Sequence, residues 1–239
     1  MLVKTEAIVL ASVKYGEADL IVKCFTLSSG LKSYLLRNIL KSKKGKLRVA
    51  MFQPLSQLTI EASHKDKGTL ESIKEAKIAY PYKTLQSDLS KTAIVFFLAD
   101  VLRYAIQEEE ENTALFQYLK TTIIWLDTYT TVSNFHLLFL LKLTQYLGFY
   151  PDADMLPATY FNLLDGTFEH AIVNPYCYEG SKVNTLKQLL GTKFDELNTI
   201  KLNQKQRTDF LAMLLQYYEL HLHGFKKPRS LSVLNSIFS

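Results

Sequence analysis

Within the first eighty or so residues the apolar positions fall in short runs with strand-like spacing. Residues 2–13, LVKTEAIVLASV, are rich in β-branched and aliphatic side chains, and a turn-like YGEAD separates most of them from a second run at 20–26. The pair reads as a hairpin. Leu27-Ser28-Ser29-Gly30 supplies the next turn, and a third strand is expected over 31–40, running directly into RNILKSKKGKLR at 37–48, whose Lys-Lys-Gly-Lys centre is a loop. Two more strands are expected at 51–62, anchored by Leu55, Leu58 and Ile60, and at 68–80, where Leu70, Ile73, Ala76 and Ile78 follow a looser pattern. Pro54 has no N–H to give a ladder, so it argues for an edge or a bulge in the fourth segment. Five short strands with glycine-bearing turns predict a small barrel of the OB type, with an SH3-like barrel as the competing architecture.

The period then lengthens. Leu89, Thr92, Phe96, Ala99 and the aliphatic stem of Arg103 recur at helical spacing across 85–107, with Ser87-Asp88 as the cap. Glu108-Glu109-Glu110-Glu111 bridge to a second helix at 112–129, where negative charge suits the N-terminal end of the helix dipole; the run reads as a solvated surface. Ser133-Asn134 caps a third helix at 135–147 that is apolar almost all round, which predicts the buried centre of a helical bundle ending at Gly148. Pro151, Pro157, Gly166 and Pro175 break up 149–180, leaving at most a small hairpin at 160–171, before helices resume at 182–190 and 204–222. The expected fold is therefore α+β: a five-stranded OB-fold barrel over 1–80, then an all-α helical domain over 81–239 with an irregular insert near 149–180.

Composition adds a direction to this outline. Of 239 residues 48% are hydrophobic, enough for a substantial core, and the formal net charge of +5 is unevenly placed. Residues 1–83 hold 15 Lys/Arg and 7 Asp/Glu, a net of +8, and the remainder is net −3. Such a bias points to a polyanionic partner. Its densest part is the segment carrying Arg37, Lys41, Lys43, Lys44, Lys46 and Arg48 without one carboxylate. A cationic loop between barrel strands can follow a phosphate backbone, releasing counterions as it neutralises each phosphate. Tyr15 and Tyr34 are candidates to stack on bases, whereas Phe25 and Phe52 are assigned to the core. The competing reading of the loop is a charged hairpin that keeps a sheet edge soluble. Lys226, Lys227 and Arg229 form a possible second basic surface.

Other chemistry is excluded by what the chain lacks. The best apolar run, 93–102, is interrupted by Asp100 and too short to span a bilayer, and the first residues have no cleavable-signal pattern, so a cytoplasmic protein is expected. Cys24 and Cys177 are too few and too far apart for a disulfide framework or a zinc site of paired CxxC motifs, and the histidines are scattered. No metal and no cofactor are expected. Nucleotide-binding glycine motifs, GxSxG and HExxH are absent. Asp165 and Glu169 could make a carboxylate pair, but Asp165-Gly166 reads better as a turn, and the chain is expected not to be an enzyme.

Taken in order, YGEADLIV at 15–22, Phe25-Thr26, Gly30-Leu31, the basic segment, QPLSQL at 53–58 and LESIKEA at 70–76 resemble the RecO family of bacterial recombination mediators. YLGFYP at 146–151 and the closing KPRSL at 227–231 are similar to the family as well, so the resemblance spans the chain. It implies an N-terminal OB barrel, a C-terminal helical domain and binding of single- and double-stranded DNA. It further implies annealing of complementary strands, and cooperation with RecR and the C-terminal tail of the single-stranded-DNA-binding protein SSB in loading RecA. Many members carry a four-cysteine zinc module after the LGF-like segment. Here only Cys177 remains, and Tyr160, Phe161, Phe168 and Tyr176 are expected to replace the metal by packing. The alternatives are an RNA-binding OB-fold factor, because phosphate contacts do not separate the nucleic acids, and a protein-binding scaffold.

Overall fold

The computed structural model describes residues 1–42, 46–65 and 70–238. They fall into two compact units, 1–128 and 129–239.

Unit one contains strands β1 (Leu2–Tyr15), β2 (Asp19–Thr26), β3 (Gly30–Leu36), β4 (Gln57–Ser63) and β5 (Ser72–Ile78), followed by helices α1 (Leu89–Ala105) and α2 (Thr113–Thr128). The strands form one antiparallel sheet in the order β3-β2-β1-β4-β5. Its two outer strands meet at a single parallel bridge, where the Leu35 N–H donates to the Glu71 carbonyl and the Glu71 N–H to the Ser33 carbonyl, both at 2.8 Å. The sheet is thus curled into a barrel-like OB fold. Val9, Val22, Cys24, Tyr34, Phe52 and Ile60 fill its interior.

Strand alternation assigns the two faces. Cross-strand partners point to the same side of a sheet, so Val9 and Cys24 point inward together and their neighbours Ile8 and Phe25 point outward together. Ile8 and Phe25 are nevertheless buried, and the Phe25 ring lies 6.0 Å from that of Phe116 on α2. The helical segments therefore cover one half of the outer face. Close to this contact the Leu31 N–H donates to the Glu108 carbonyl at 3.1 Å, and Gly30 has φ +58°. A side chain at Gly30 would strain that backbone and drive its Cβ into the Glu110 carbonyl, so only glycine suits the approach. The acidic side chains of 108–111 themselves face solvent, as the sequence suggested.

Two boundaries differ from expectation. β3 stops at Leu36, because Asn38 adopts φ +57° and its N–H is taken by the Asp19 carboxylate at 2.7 Å, turning 37–41 back over the β1–β2 hairpin. The stretch before β4 is a short 3-10 turn, Val49–Phe52, and Pro54 sits in the following turn, outside any ladder. Asp88 does cap α1, accepting from the Lys91 N–H at 3.0 Å. At the far end of α2 the buried Asp127 carboxylate accepts the N–H groups of Lys83, Thr84 and Leu85, and the Lys91 ammonium donates to the Asp127 carbonyl at 2.9 Å.

Unit two contains α3 (Phe135–Tyr146), β6 (Tyr160–Asn162), β7 (Thr167–Glu169), β8 (Cys177–Tyr178), α4 (Ser181–Leu189), a 3-10 turn (Phe194–Thr199), α5 (Gln204–His221) and α6 (Leu231–Ile237). Helix α3 is buried nearly throughout, and the Tyr218 hydroxyl on α5 donates to the Leu140 carbonyl at 2.7 Å. Asn134 stands at the N-cap but does not cap with its side chain; its amide donates instead to the Ile200 carbonyl at 2.8 Å. Within this helical region the insert forms a three-stranded sheet in the order β7-β6-β8, one strand more than the expected hairpin.

Candidate nucleic-acid interface

The half of the outer barrel face left uncovered by helices begins where β1 and β2 extend past the core. Val13 pairs with Ile21 and Tyr15 with Asp19, and Ile21 pairs in turn with Leu35, so alternation sets Val13, Tyr15, Ile21 and Leu35 on one side. Val13 and Tyr15 are more than half exposed, and with Leu40 nearby they give the hairpin an open apolar surface. The basic segment is fastened to this hairpin: the Leu40 N–H donates to the Ala18 carbonyl at 2.9 Å, and the Lys41 ammonium lies 3.1 Å from Glu17. Exposed aromatic, aliphatic and cationic groups consequently share one surface.

Beside it, along the seam between β3 and β5, runs a groove of about 440 Å³ lined by Leu35, Arg37, Leu47, Lys65, Leu70 and Glu71 among others. Arg37 and Lys65 give it charge, while Leu35, Leu47 and Leu70 give it apolar walls. The Glu71 carboxylate adds no open negative charge, being buried and accepting the Lys65 N–H at 2.9 Å.

Placement of the expected site residues divides cleanly. Arg37, Lys41, Lys46, Arg48 and Tyr15 are exposed on unit one. Lys43 and Lys44 lie outside the described residues. Tyr34 is a correction: it is fully buried, its ring within the barrel and its hydroxyl 2.9 Å from His64 Nε2, so it presents no face to a base. Burial pushes its phenol well above the ordinary value. Lys226, Lys227 and Arg229 are exposed on unit two, with Lys227 3.7 Å from the Glu219 carboxylate.

The fold also supplies carboxylates that the basic segment lacks. Glu17 faces Lys41, and Glu75 on β5 forms an ion pair with Lys46 that raises the lysine and lowers the glutamate from their ordinary pKa values. Such solvent-accessible pairs hold weakly in water and exchange for phosphate without a large penalty. Their sequence separation hid them, as it did Lys65 across the groove. The alternation of Val13, Tyr15 and Ile21 was the available signal for the open face.

Zinc does not fit the insert. Cys177 is its only thiol, its Sγ 3.9 Å from Asn174 Oδ1, and no group of three or more potential ligands converges among the described residues. Phe161 and Phe168 are buried with ring centroids 4.9 Å apart, whereas Tyr160 is half-buried and Tyr176 exposed. The polar tie is Asn162, fully buried, whose amide donates to Asp165 at 2.6 Å and accepts from the Leu164 N–H and the Asn174 side chain. Asp165 is thereby a turn residue, as its glycine neighbour suggested.

Residues 1–82 match the family described as Recombination protein O N terminal, and residues 86–231 match Recombination protein O C terminal. DNA repair protein RecO of Christiangramia forsetii is 54% identical over 238 residues, that of Flavobacterium psychrophilum 48% over 241, and that of Bacteroides fragilis 38% over 244, each covering 100% of both chains. Matched in both halves and along its whole length, the chain belongs to the RecO family of recombination proteins.

Proposed function

We propose that this protein is a non-enzymatic mediator of DNA repair and recombination. In this reading it binds single- and double-stranded DNA, anneals complementary strands and, with RecR and SSB, promotes RecA loading. The observation that carries it is the continuity of the open hairpin face, Val13, Tyr15 and Ile21, with the cations Arg37 and Lys41. Stacking platforms beside a positive groove suit single strands of any sequence. Annealing needs no covalent step: cations between two backbones screen their repulsion, and base pairing supplies the specificity. The DNA repair names of the relatives favour DNA over RNA.

We assign DNA binding to the barrel and partner binding to the helical region. The acidic, apolar tail of SSB calls for an apolar cavity with a cation at its rim. Unit two has a cavity of mixed lining, about 460 Å³, in which Leu197, Ile200 and Leu202 stand among Ser133, Asn198 and Gln206 with Lys201 beside them, and it is the candidate for this role.

The test is fluorescence polarisation of labelled single-stranded DNA, duplex DNA, RNA and an SSB-tail peptide over a salt series. Replacing Lys41, Lys43, Lys44 and Lys46 together by Glu is expected to abolish DNA binding and annealing while the thermal unfolding curve stays in place and the tail peptide still binds. Tyr15→Ala should weaken single-strand binding by about 1–3 kcal/mol. Wild-type affinity of the quadruple variant at moderate salt would overturn the assignment, and a clear preference for RNA would move it to the RNA-binding alternative.

A further inference from the structure

The insert of unit two carries a surface that none of this uses. Met155, Leu164, Ile172, Val173 and Tyr176 are exposed at 47, 47, 65, 59 and 36%. Hydrogen bonds gather their segments into one place. The Asp152 N–H donates to the Gly166 carbonyl at 2.8 Å, the Leu163 N–H to the Tyr176 carbonyl at 3.0 Å, and the Asn174 amide to Asn162 Oδ1 at 2.9 Å. Exposed apolar side chains clustered in this way mark an interaction surface. Its charge is acidic on balance: from 143 to 181 there are five acidic residues, Asp152, Asp154, Asp165, Glu169 and Glu179, and no Lys or Arg, while Lys182 and Lys187 of the following helix lie over the Tyr178 and Phe168 rings.

A surface of that kind fits a partner that is both cationic and apolar. This chain itself presents one, the hairpin face with Val13, Tyr15 and Leu40 exposed beside Arg37 and Lys41, and with Arg48 exposed further along the same basic segment. The two surfaces complement each other in both respects and are present at equal concentration. We propose that the acidic insert of one molecule docks on the hairpin face of a second copy, head to tail, so that self-association and nucleic acid compete for one surface. The competition rests on the nucleic-acid reading of that face; the association does not. Because two different patches meet, the contact is heterologous and builds assemblies of two or more chains, rings or open rows. A nucleic acid would cap such rows by occupying the cationic end.

Sedimentation velocity of the full chain, free of nucleic acid, tests this. The weight-average mass should climb with protein concentration at about 50 mM salt and return to that of one chain at about 500 mM, where the screening length has fallen several-fold. Asp152→Lys with Asp154→Lys should hold the protein at one chain, and so should Ile172→Ser with Val173→Ser, which removes apolar contact without touching charge. Arg37→Glu with Arg48→Glu should do the same from the other side. Mixed in equal amounts, the Asp152/Asp154 variant and the Arg37/Arg48 variant should form a two-chain species that neither forms alone. Adding a ten-nucleotide thymidine strand should dissociate the wild type. A single-chain mass at every concentration in low salt, or unchanged association in the insert variants, overturns the association, as would a circular dichroism spectrum showing that both insert variants lose mass only because they unfold. If the oligonucleotide binds and the assemblies persist, the shared surface is refuted. Salt-sensitive association in a protein that binds no nucleic acid would instead sink the functional reading and leave this contact standing.

Discussion

His136 shows what one buried side chain does to the stability of its unit. It is 2% exposed on α3, its ring 5.7 Å from that of Phe238, and burial together with the nearby Arg207 charge holds its imidazole down to about 3. The folded protein therefore keeps this histidine neutral, while the unfolded chain takes up a proton below the ordinary value of about 6.5. Stability from this group is full above that value and is lost as pH falls towards 3, at about 1.4 kcal/mol per pH unit, or about 2 kcal/mol by pH 5. Urea unfolding of the wild type should weaken over that window more steeply than that of His136→Gln; parallel curves would remove the argument. Nothing in the sequence singled this histidine out among five, because its neighbours come from distant parts of the chain. Tyr34 is the complementary case. β3 carries leucines on both faces, at Leu35 and Leu36, so alternation alone did not say which side of the strand lies inside, and only the pairing of Tyr34 with Val22 decides it.

At the scale of elements, the strands and long helices were legible because each carries its own period, and the errors fall where a distant residue intervenes. β3 ends early because Asp19, on β2, takes the Asn38 N–H. Asn134 caps nothing because Ile200 takes its amide. The seven-residue α6 is too short to display a helical period. The small insert sheet obeys the same rule: its aromatic pair was legible, and its tie at Asn162 was not, since that side chain reaches both Asp165 and Asn174. With the tie supplied by hydrogen bonds, metal analysis of the purified protein should find no stoichiometric zinc, and chelator should leave the melting curve unmoved. Asn162→Ala, by contrast, removes three partly buried hydrogen bonds of a buried side chain and should destabilise the unit by about 2–4 kcal/mol. Stoichiometric zinc, or a chelator-sensitive transition, would contradict this account of the insert.

For the whole molecule, the uneven charge and the order of strands and helices were readable from the chain; the placement of the open face was not, since it depends on how far α1 and α2 cover the barrel. The salt dependence of binding reports the charge directly. For single strands the slope of log affinity against log salt should flatten by about 0.7 for each phosphate contact removed, so the quadruple loop variant should lose up to about 3 units of slope if any residual binding is measurable, and an unchanged slope would place the phosphate contacts elsewhere. The seam between β3 and β5 adds a consequence of another sort. Two backbone hydrogen bonds, both at Glu71, close the barrel there, while the other strand pairs are laddered along their lengths. The barrel should part most readily along this line, which is also the wall of the groove. A strand lying across it would rest on both lips at once and resist their separation. Occupancy and mechanical strength of the barrel would then become a single quantity, and a loaded barrel should resist unfolding force more than an empty one.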